Sequence, residues 1–261
     1  MTSGTFQIAF DDRRFVFPEP QDRDHVHGKI KSGGTFYEDG LLRYLAGKVS
    51  APGVAVDCGA NIGNHTLFFA GVMGLRTLAV EPVERNFRIL ERVIDLNGLG
   101  GTVEVVRKAL DDHEGEVVMT LDSPGNHGMY KVGEGSGATV PATTLDALCA
   151  DLDQSVKVIK IDVEGFQDQV IRGALRMLER DKPLIAAELA SLDEYSSFLS
   201  LIQPLGYVPV EVFNRTPTII FSGDGALSDG TAVVEAKMRA YERRMRVAGP
   251  VQRLLQKVGL A

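Results

Sequence analysis

The stretch "VAVDCGANIGNHTLFFA", Val54 to Ala70, runs from an apolar segment into an acid, two glycines and an asparagine, then resumes with apolar residues at helical spacing. "VAVD" is too short for a helix and apolar on both alternating faces, the pattern of a strand buried between two layers. Helix starts carry unpaired N–H groups, and Gly59 and Gly63 allow a ligand to approach the backbone closely. Asp57, at the strand tip, would repel an anionic pyrophosphate but suits a ligand carrying an ammonium group. The spacing Gly59-x-x-x-Gly63, with Ala60 and Asn61 inside it, is not the dinucleotide fingerprint GxGxxG. The loop therefore suits a cationic amino-acid nucleoside better than a nicotinamide dinucleotide, while a purely structural turn stays open.

From this stretch onward strands and helices alternate. "RTLAVEP", "VEVVRKAL", "VKVIKID" and "PLIAAEL" read as further strands. "ERNFRILERVIDLNG", "TTLDALCAD", "FQDQVIRGALRMLER" and "DEYSSFLSLIQPLG" read as helices, the second with a Thr N-cap. "GEVVMTLD" reads as an extra or edge segment, and "YVPVEVF" with "TPTIIFS" as a closing antiparallel pair. Repeated βα units predict an α/β fold with a doubly wound, mostly parallel sheet and ligands at the carboxyl ends of its strands.

The flanks differ from this core. Phe6, Ile8 and Phe10, then Phe15 and Phe17, alternate around Asp11-Asp12 and predict an N-terminal β-hairpin, followed by a short helix with Val26 and Ile30 on one face. A second helix carries Leu41, Leu42 and Leu45. At the other end, residues 237–261 hold seven Lys/Arg against one acid, Glu242, although the chain as a whole has net charge −7. Met238, Tyr241 and Met245 share a helical face there, as do Val251, Leu254, Leu255 and Val258 beyond Gly249-Pro250. Such a helix packs on its own domain or on a second subunit, or hooks onto an anionic membrane or polymer surface. The expected division is a hairpin-and-helix extension over 1–34, a sheet domain over 35–222 and a basic amphipathic tail over 223–261.

The composition is that of a globular protein, and the acidic balance disfavours nucleic-acid partners. No apolar run reaches the ~20 residues of a bilayer span, and "MTSGTFQIAFDD" lacks the pattern of a secretory signal. Cys58 and Cys149 read as two buried thiols in a reducing cytoplasm.

The chemistry-bearing residues sit at predicted strand ends. Glu81, in "AVEP", can accept hydrogen bonds from two ribose hydroxyls, and Pro82 turns the chain across the ligand. After the third strand, Asp111 could accept from an adenine amino group with Ala109 keeping the approach open, or be a solvated turn acid. In "KIDVEGFQ", Lys160 and Asp162 share one strand face. Asp162 and Glu164 at its tip could orient a substrate hydroxyl and take its proton, or hold a metal. They could equally be a structural ion pair and a helix-start acid. Glu188 closes the fifth strand and needs a partner, for which Lys160 is a candidate. His127, in "DSPGNHGM", is the best-placed imidazole for a general base. The sequence carries no strong metal signature, hydrolase elbow or P-loop.

Taken together, "TFYEDGLL", "VDCGANIGNHT", "AVEP", "KALDDHEGEV", "TTLDAL", "VIKIDVEGFQDQVIRGA" and "PLIAAEL" resemble the FkbM-type family of S-adenosylmethionine-dependent methyltransferases, over roughly residues 35–189. The resemblance implies a class I (Rossmann-like) methyltransferase fold and methyl transfer to a hydroxyl of a sugar, glycan or natural product. It implies that Asp57, Gly59, Ala60, Asn61 and Gly63 line the methionine end of the cofactor and that Glu81 binds its ribose. Tyr37 and Glu38 match the family's aromatic–acid pair, which would close over the site. Where the family usually has Glu, this chain has Gln167. A nicotinamide-dependent oxidoreductase and a noncatalytic cofactor-binding scaffold remain the alternatives.

Overall fold

A computed structural model describes residues 4–20, 25–121, 130–132, 137–225 and 227–257. The N-terminal hairpin is as expected: β1 (Thr5–Phe10) pairs antiparallel with β2 (Arg13–Pro18), and α1 (His25–Gly33) and α2 (Asp39–Ala46) follow. The alternating part begins with β3 (Val54–Cys58), α3 (Asn64–Gly71), β4 (Arg76–Val80), α4 (Glu84–Leu96) and β5 (Val103–Val106). It continues through β6 (Ala109–Leu110), β7 (Gly115–Leu121), β8 (Tyr130–Val132), β9 (Ala138–Thr143) and α5 (Leu145–Leu148). Then come β10 (Val156–Ile161), α6 (Gln167–Arg172), α7 (Leu175–Asp181), β11 (Leu184–Glu188) and α8 (Leu192–Ile202). β12 (Val208–Phe213), β13 (Thr218–Ser222) and α9 (Thr231–Lys257) complete the chain.

The main sheet has seven strands in the order β12-β13-β11-β10-β3-β4-β5. All neighbours are parallel except β13, which runs antiparallel to both β11 and β12. The chain enters at β3, moves outward to β5, and returns to β10 on the other side of β3. That reversal opens a crevice between the carboxyl ends of β3 and β10, the place where open α/β sheets bind ligands.

Several details differ from the reading of the sequence. "VEVVRKAL" is two strands, because Arg107-Lys108 interrupts its apolar alternation: β5 ends the main sheet while β6 joins a second sheet, ordered β6-β9-β7-β8. "GEVVMTLD" belongs to that second sheet. The helix after β10 breaks at Gly173, which lies so close to the Asp111 carbonyl that a Cβ would stand 2.2 Å from its oxygen. The basic tail is one helix through Gly249-Pro250.

The sheet is covered on both faces. One core joins Val56, Ile159, Ile161, Ile185 and Phe221 to α6, α7, α8 and the start of α9, through residues such as Phe198, Val234 and Met238. The other joins Ala55, Val158 and Ala186 to the hairpin, α1, α2 and α3. In it Phe10 packs edge-on against Phe68 at 5.0 Å between centroids, and Phe36 against Phe68 at 5.2 Å. The N-terminal hairpin is therefore a layer of the core. The first half of α9 also packs on its own domain: Val234 and Met238 are buried, while Met245 is exposed. Cys58 and Cys149 are both free and buried, as expected. Among the described residues no helix is long and apolar enough to cross a membrane.

Phe17 is fully buried in the hairpin-covered core, so Phe17→Ala is expected to lower unfolding free energy by about 3–5 kcal/mol. Urea denaturation measures this, and a loss near zero would mean that the hairpin contributes nothing to the core.

Candidate functional site

The register of the parallel strands puts the charged residues together. Lys160 is the in-register neighbour of Asp57 on β3 and of Ala186 on β11. In-register residues share a face, as do residues two apart along a strand. Asp57, Lys160, Asp162 and Glu188 therefore stand on one face of the sheet, at its carboxyl edge. It is the face that the N-terminal elements cover, and these bring Tyr37 and Glu38 to the same place.

Lys160 is the centre of this group. Its side chain is 1% exposed, and its Nζ lies 3.2 Å from Asp162 Oδ2. That contact is close but poorly aligned, and Nζ makes no hydrogen bond. Burial disfavours the ammonium, but Asp162, Glu38, Glu188 and Asp57 outweigh it and hold the lysine protonated, well above its ordinary value. The acids outnumber their one buried lysine. The Glu188 carboxyl is pushed up, by burial first and then by Asp162. Burial raises the Tyr37 phenol as well, with Glu38 as the next cause. Glu38 goes the other way: burial would raise it, but His65, whose Nε2 pairs with Glu38 Oε2 at 3.0 Å, and then Lys160 lower it.

The backbone around Tyr37 is clamped by one side-chain amide. Asn64 Oδ1 accepts from the Tyr37 N–H at 2.9 Å and its Nδ2 donates to the Tyr37 carbonyl at 3.0 Å. Of the six non-glycine residues with positive φ among the described residues, four lie on this rim: Glu38, Asn61, Glu164 and Asn214. Such conformations cost of order 1–3 kcal/mol each and concentrate at functional sites.

The loop after β3 is built differently from a phosphate cradle. The N–H groups of Gly59 and Ala60 both donate to the Val80 carbonyl at 3.0 Å, and Asn61 N–H donates to Glu81 Oε2 at 2.8 Å. These donors are already used, so they do not present themselves to an anion. Gly59 (φ 80°) must be glycine, since a Cβ there would lie 2.0 Å from the Asp162 carbonyl oxygen. This close approach joins the β3 loop to the β10 tip. Asp57 Oδ2 accepts from Thr66 Oγ1 at 2.6 Å, which holds the acid against α3. The buried Asn61 Oδ1 has no partner.

Glu81 accepts from the Val83 N–H at 2.9 Å with its other oxygen. Burial nevertheless dominates and raises its pKa to about 7. Glu81 and Pro82 line a cleft of about 80 Å³ with Gly59, Asn61, Asp162 and Glu164. A second cleft, about 40 Å³, is lined by Gly59, Pro82, Lys108, Ala109 and Phe166 among others. Met119 of β7 borders both.

The structure thus brings Gly59, Asn61, Glu81, Pro82, Ala109, Asp162 and Glu164 to two adjoining clefts. Asp57, buried against Thr66, and Ala60 and Gly63 line neither, while Tyr37, Glu38 and Asp57 gather around Lys160. Asp111 is not among the residues lining the clefts. It is buried in the turn after β6, where its Oδ1 accepts from the Asp112 N–H at 2.7 Å, so it is not a solvated turn acid either. Asp111, Asp112 and His113 bring three potential metal donors within 4.8 Å of one another, and none of the three lines either cleft. His127 lies outside the described residues. Gln167 is buried, and its Nε2 donates to the Glu188 carbonyl at 2.9 Å. Met119, Asn64 and Thr66 escaped the sequence reading. Met119 could have been found as the middle of an alternating Val117-Met119-Leu121 face, whereas the Asn64 clamp spans 27 residues and leaves no local trace.

A family model described as the methyltransferase FkbM domain matches residues 57–209. Comparison with curated proteins gives no match. Among solved structures, the chain is similar to a methyltransferase FkbM from Methylobacillus flagellatus KT, at 22% identity and TM-score 0.50, covering 71% of this chain and 46% of that one. It is also similar to a putative rRNA-methylase from Clostridium thermocellum (12% identity, TM-score 0.49, 73% and 96% covered). A third is SMU.1697c, a putative methyltransferase from Streptococcus mutans in complex with SAH (10%, 0.47, 71% and 97%). The chain spans less than half the length of the first of these.

A carboxyl whose pKa rises on folding binds a proton in the native state that the unfolded chain has released. Its contribution is full below the ordinary value of 4.5 and is lost as pH rises through about 7. Glu81→Gln should therefore flatten the fall in stability between those two values. Denaturation midpoints across that range test this, and an unchanged slope would show that Glu81 does not titrate there.

Proposed function

The chain belongs to the FkbM methyltransferase family, and from that membership we propose that it transfers the methyl group of S-adenosylmethionine to a hydroxyl oxygen of a sugar, glycan or natural product. Its sheet is that of the class I S-adenosylmethionine-dependent methyltransferases. The observation that carries the proposal is the excess of carboxylates around Lys160, beside a loop whose N–H donors are already used.

The residues present fit the cofactor. Its ammonium and sulfonium are cations, and Asp57, Asp162 and Glu38 supply more negative charge than Lys160 neutralises. Asn61 Oδ1, buried without a partner, is an acceptor for its N–H or O–H donors. Each Glu81 oxygen keeps a lone pair beyond its backbone bond, enough for ribose hydroxyls. Met119, an unbranched side chain bordering both clefts, is the group to move aside for an adenosyl moiety along Pro82 and Ala109. When bound, S-adenosylmethionine supplies a methyl group on a sulfonium, electrophilic enough to need no further activation.

What remains for the chain is to align the acceptor oxygen and accept its proton. Asp162 lies in the crevice, with its backbone locked against Gly59 and its carboxylate against Lys160. With Glu164 it can receive the hydroxyl hydrogen bond. The proton passes to that pair of carboxylates. Lys160 stays beside the acids as their buried counter-charge. Gln167 ties the Glu188 backbone to α6, a role an amide fills by donating, so its presence does not argue for a noncatalytic scaffold. Two buried free thiols fit a cytoplasmic setting.

Asp162→Asn keeps the shape and removes the charge. It should lower turnover about 100-fold or more, while calorimetry shows S-adenosylhomocysteine still bound. Labelled methyl transfer to a panel of hydroxyl acceptors supplies the assay. Full turnover by this variant would remove Asp162 from the mechanism, and binding of NADH in place of S-adenosylhomocysteine would overturn the reading altogether.

A further inference from the structure

Beside the acid cluster, on the same rim, a cleft of about 1,090 Å³ opens between the β12–β13 turn and α9. Phe213, Pro217 and Tyr241 give it an apolar wall. Arg215 stands on the turn, with Arg243 and Arg244 on the helix; all three are exposed. None of the three has a carboxylate partner among the described residues. Neighbouring cations do: Lys237 pairs with Glu211 at 3.0 Å and Arg239 with Glu235 at 3.0 Å. Three unpaired guanidinium groups around one opening are an electrostatic feature in a chain of net charge −7.

The cleft is joined to the acid cluster by Asn214. This residue lines the opening, its Nδ2 donates to Thr218 Oγ1 at 2.8 Å, and its side chain stands near enough to the Glu38 carboxylate to help lower its pKa. Phe213, next to it, packs on Tyr44 of α2 at 5.0 Å between centroids. A molecule seated in the cleft therefore reaches the carboxyl rim without crossing the cofactor loop.

We infer that this cleft binds the phosphate-bearing part of the methyl acceptor, and that the acceptor is a soluble nucleoside diphosphate sugar. The inference rests on the methyltransferase reading and names its substrate class. Guanidinium forks match the paired oxygens of a diphosphate. The aromatic wall offers a face to a nucleobase. The volume, about 1,090 Å³, lies just above the usual ~300–1,000 Å³ of small-molecule sites, room for a nucleotide sugar, and leaves the sugar hydroxyls pointing toward Asn214 and Glu38. The two charge signs also keep the ligands apart, since the acid cluster repels a diphosphate and the arginines repel a sulfonium.

The test is calorimetry on the full chain saturated with S-adenosylhomocysteine, so that a nucleotide cannot occupy the cofactor crevice. Uridine diphosphate glucose is the probe, with methyl glucoside as the phosphate-free control and phosphatidylglycerol vesicles as the membrane control. The expected result is one-to-one binding of the nucleotide sugar and none of the glucoside. The double variant Arg243→Gln/Arg244→Gln should weaken it at least about tenfold, and Arg239→Gln should leave it unchanged. Three results would overturn the inference while leaving the methyltransferase reading intact: no binding of the nucleotide sugar, an equal loss from Arg239→Gln, or arginine-dependent binding to the vesicles alone. Failure of S-adenosylhomocysteine itself to bind would overturn both.

Discussion

An ammonium buried inside a parallel sheet is the constraint on which the rest of this structure depends. A charge taken out of water costs several kcal/mol unless it is paired, and Lys160 is 1% exposed with no well-aligned hydrogen bond. Its compensation has to come from carboxylates, and they arrive from separate parts of the chain: Asp57 on β3, Asp162 beyond β10, Glu188 on β11 and Glu38 before α2. The contributions of Asp57, Asp162 and Glu188 require the correct strand register, since a one-residue slip would turn the acid to the opposite face. The lysine thus makes the sheet order and the placement of the N-terminal layer mutually dependent.

The same arrangement explains why the hairpin and first helices belong to the working protein although the matched family region begins at residue 57. The acids occupy the sheet face that the N-terminal elements cover. Phe10, Phe15 and Phe17 anchor that layer in the core, and Asn64 grips the Tyr37 backbone from α3. Glu38 is thereby held in a left-handed conformation it would not choose alone. The core packing of one segment sets the electrostatics of a crevice built mainly from others.

Much of this was legible in the sequence because buried parallel strands leave short apolar runs, and strand tips announce themselves with Asp57, Glu81 and Asp162. The antiparallel closing pair and the hairpin followed from alternation in the same way. What stayed hidden has a common cause, which is dependence on partners distant in the chain. Nothing local reveals that Glu38 meets His65, that Asn214 reaches Glu38, or that Gly173 abuts Asp111. "VEVVRKAL" misled for a related reason: both halves have strand composition, and only tertiary pairing assigns them to different sheets.

Gln167 shows how a departure from a family pattern can be judged by physics. The amide donates to the Glu188 carbonyl, across the gap between α6 and the tip of β11. An ionised glutamate at this buried position has no proton to donate. It would also add negative charge beside a strand tip where burial and Asp162 already raise the cost of ionising Glu188. The neutral donor fixes the backbone that carries Glu188 and leaves the charge balance around Lys160 to the acids facing it. In this chain, the residue that departs from the pattern is one that the local electrostatics favour.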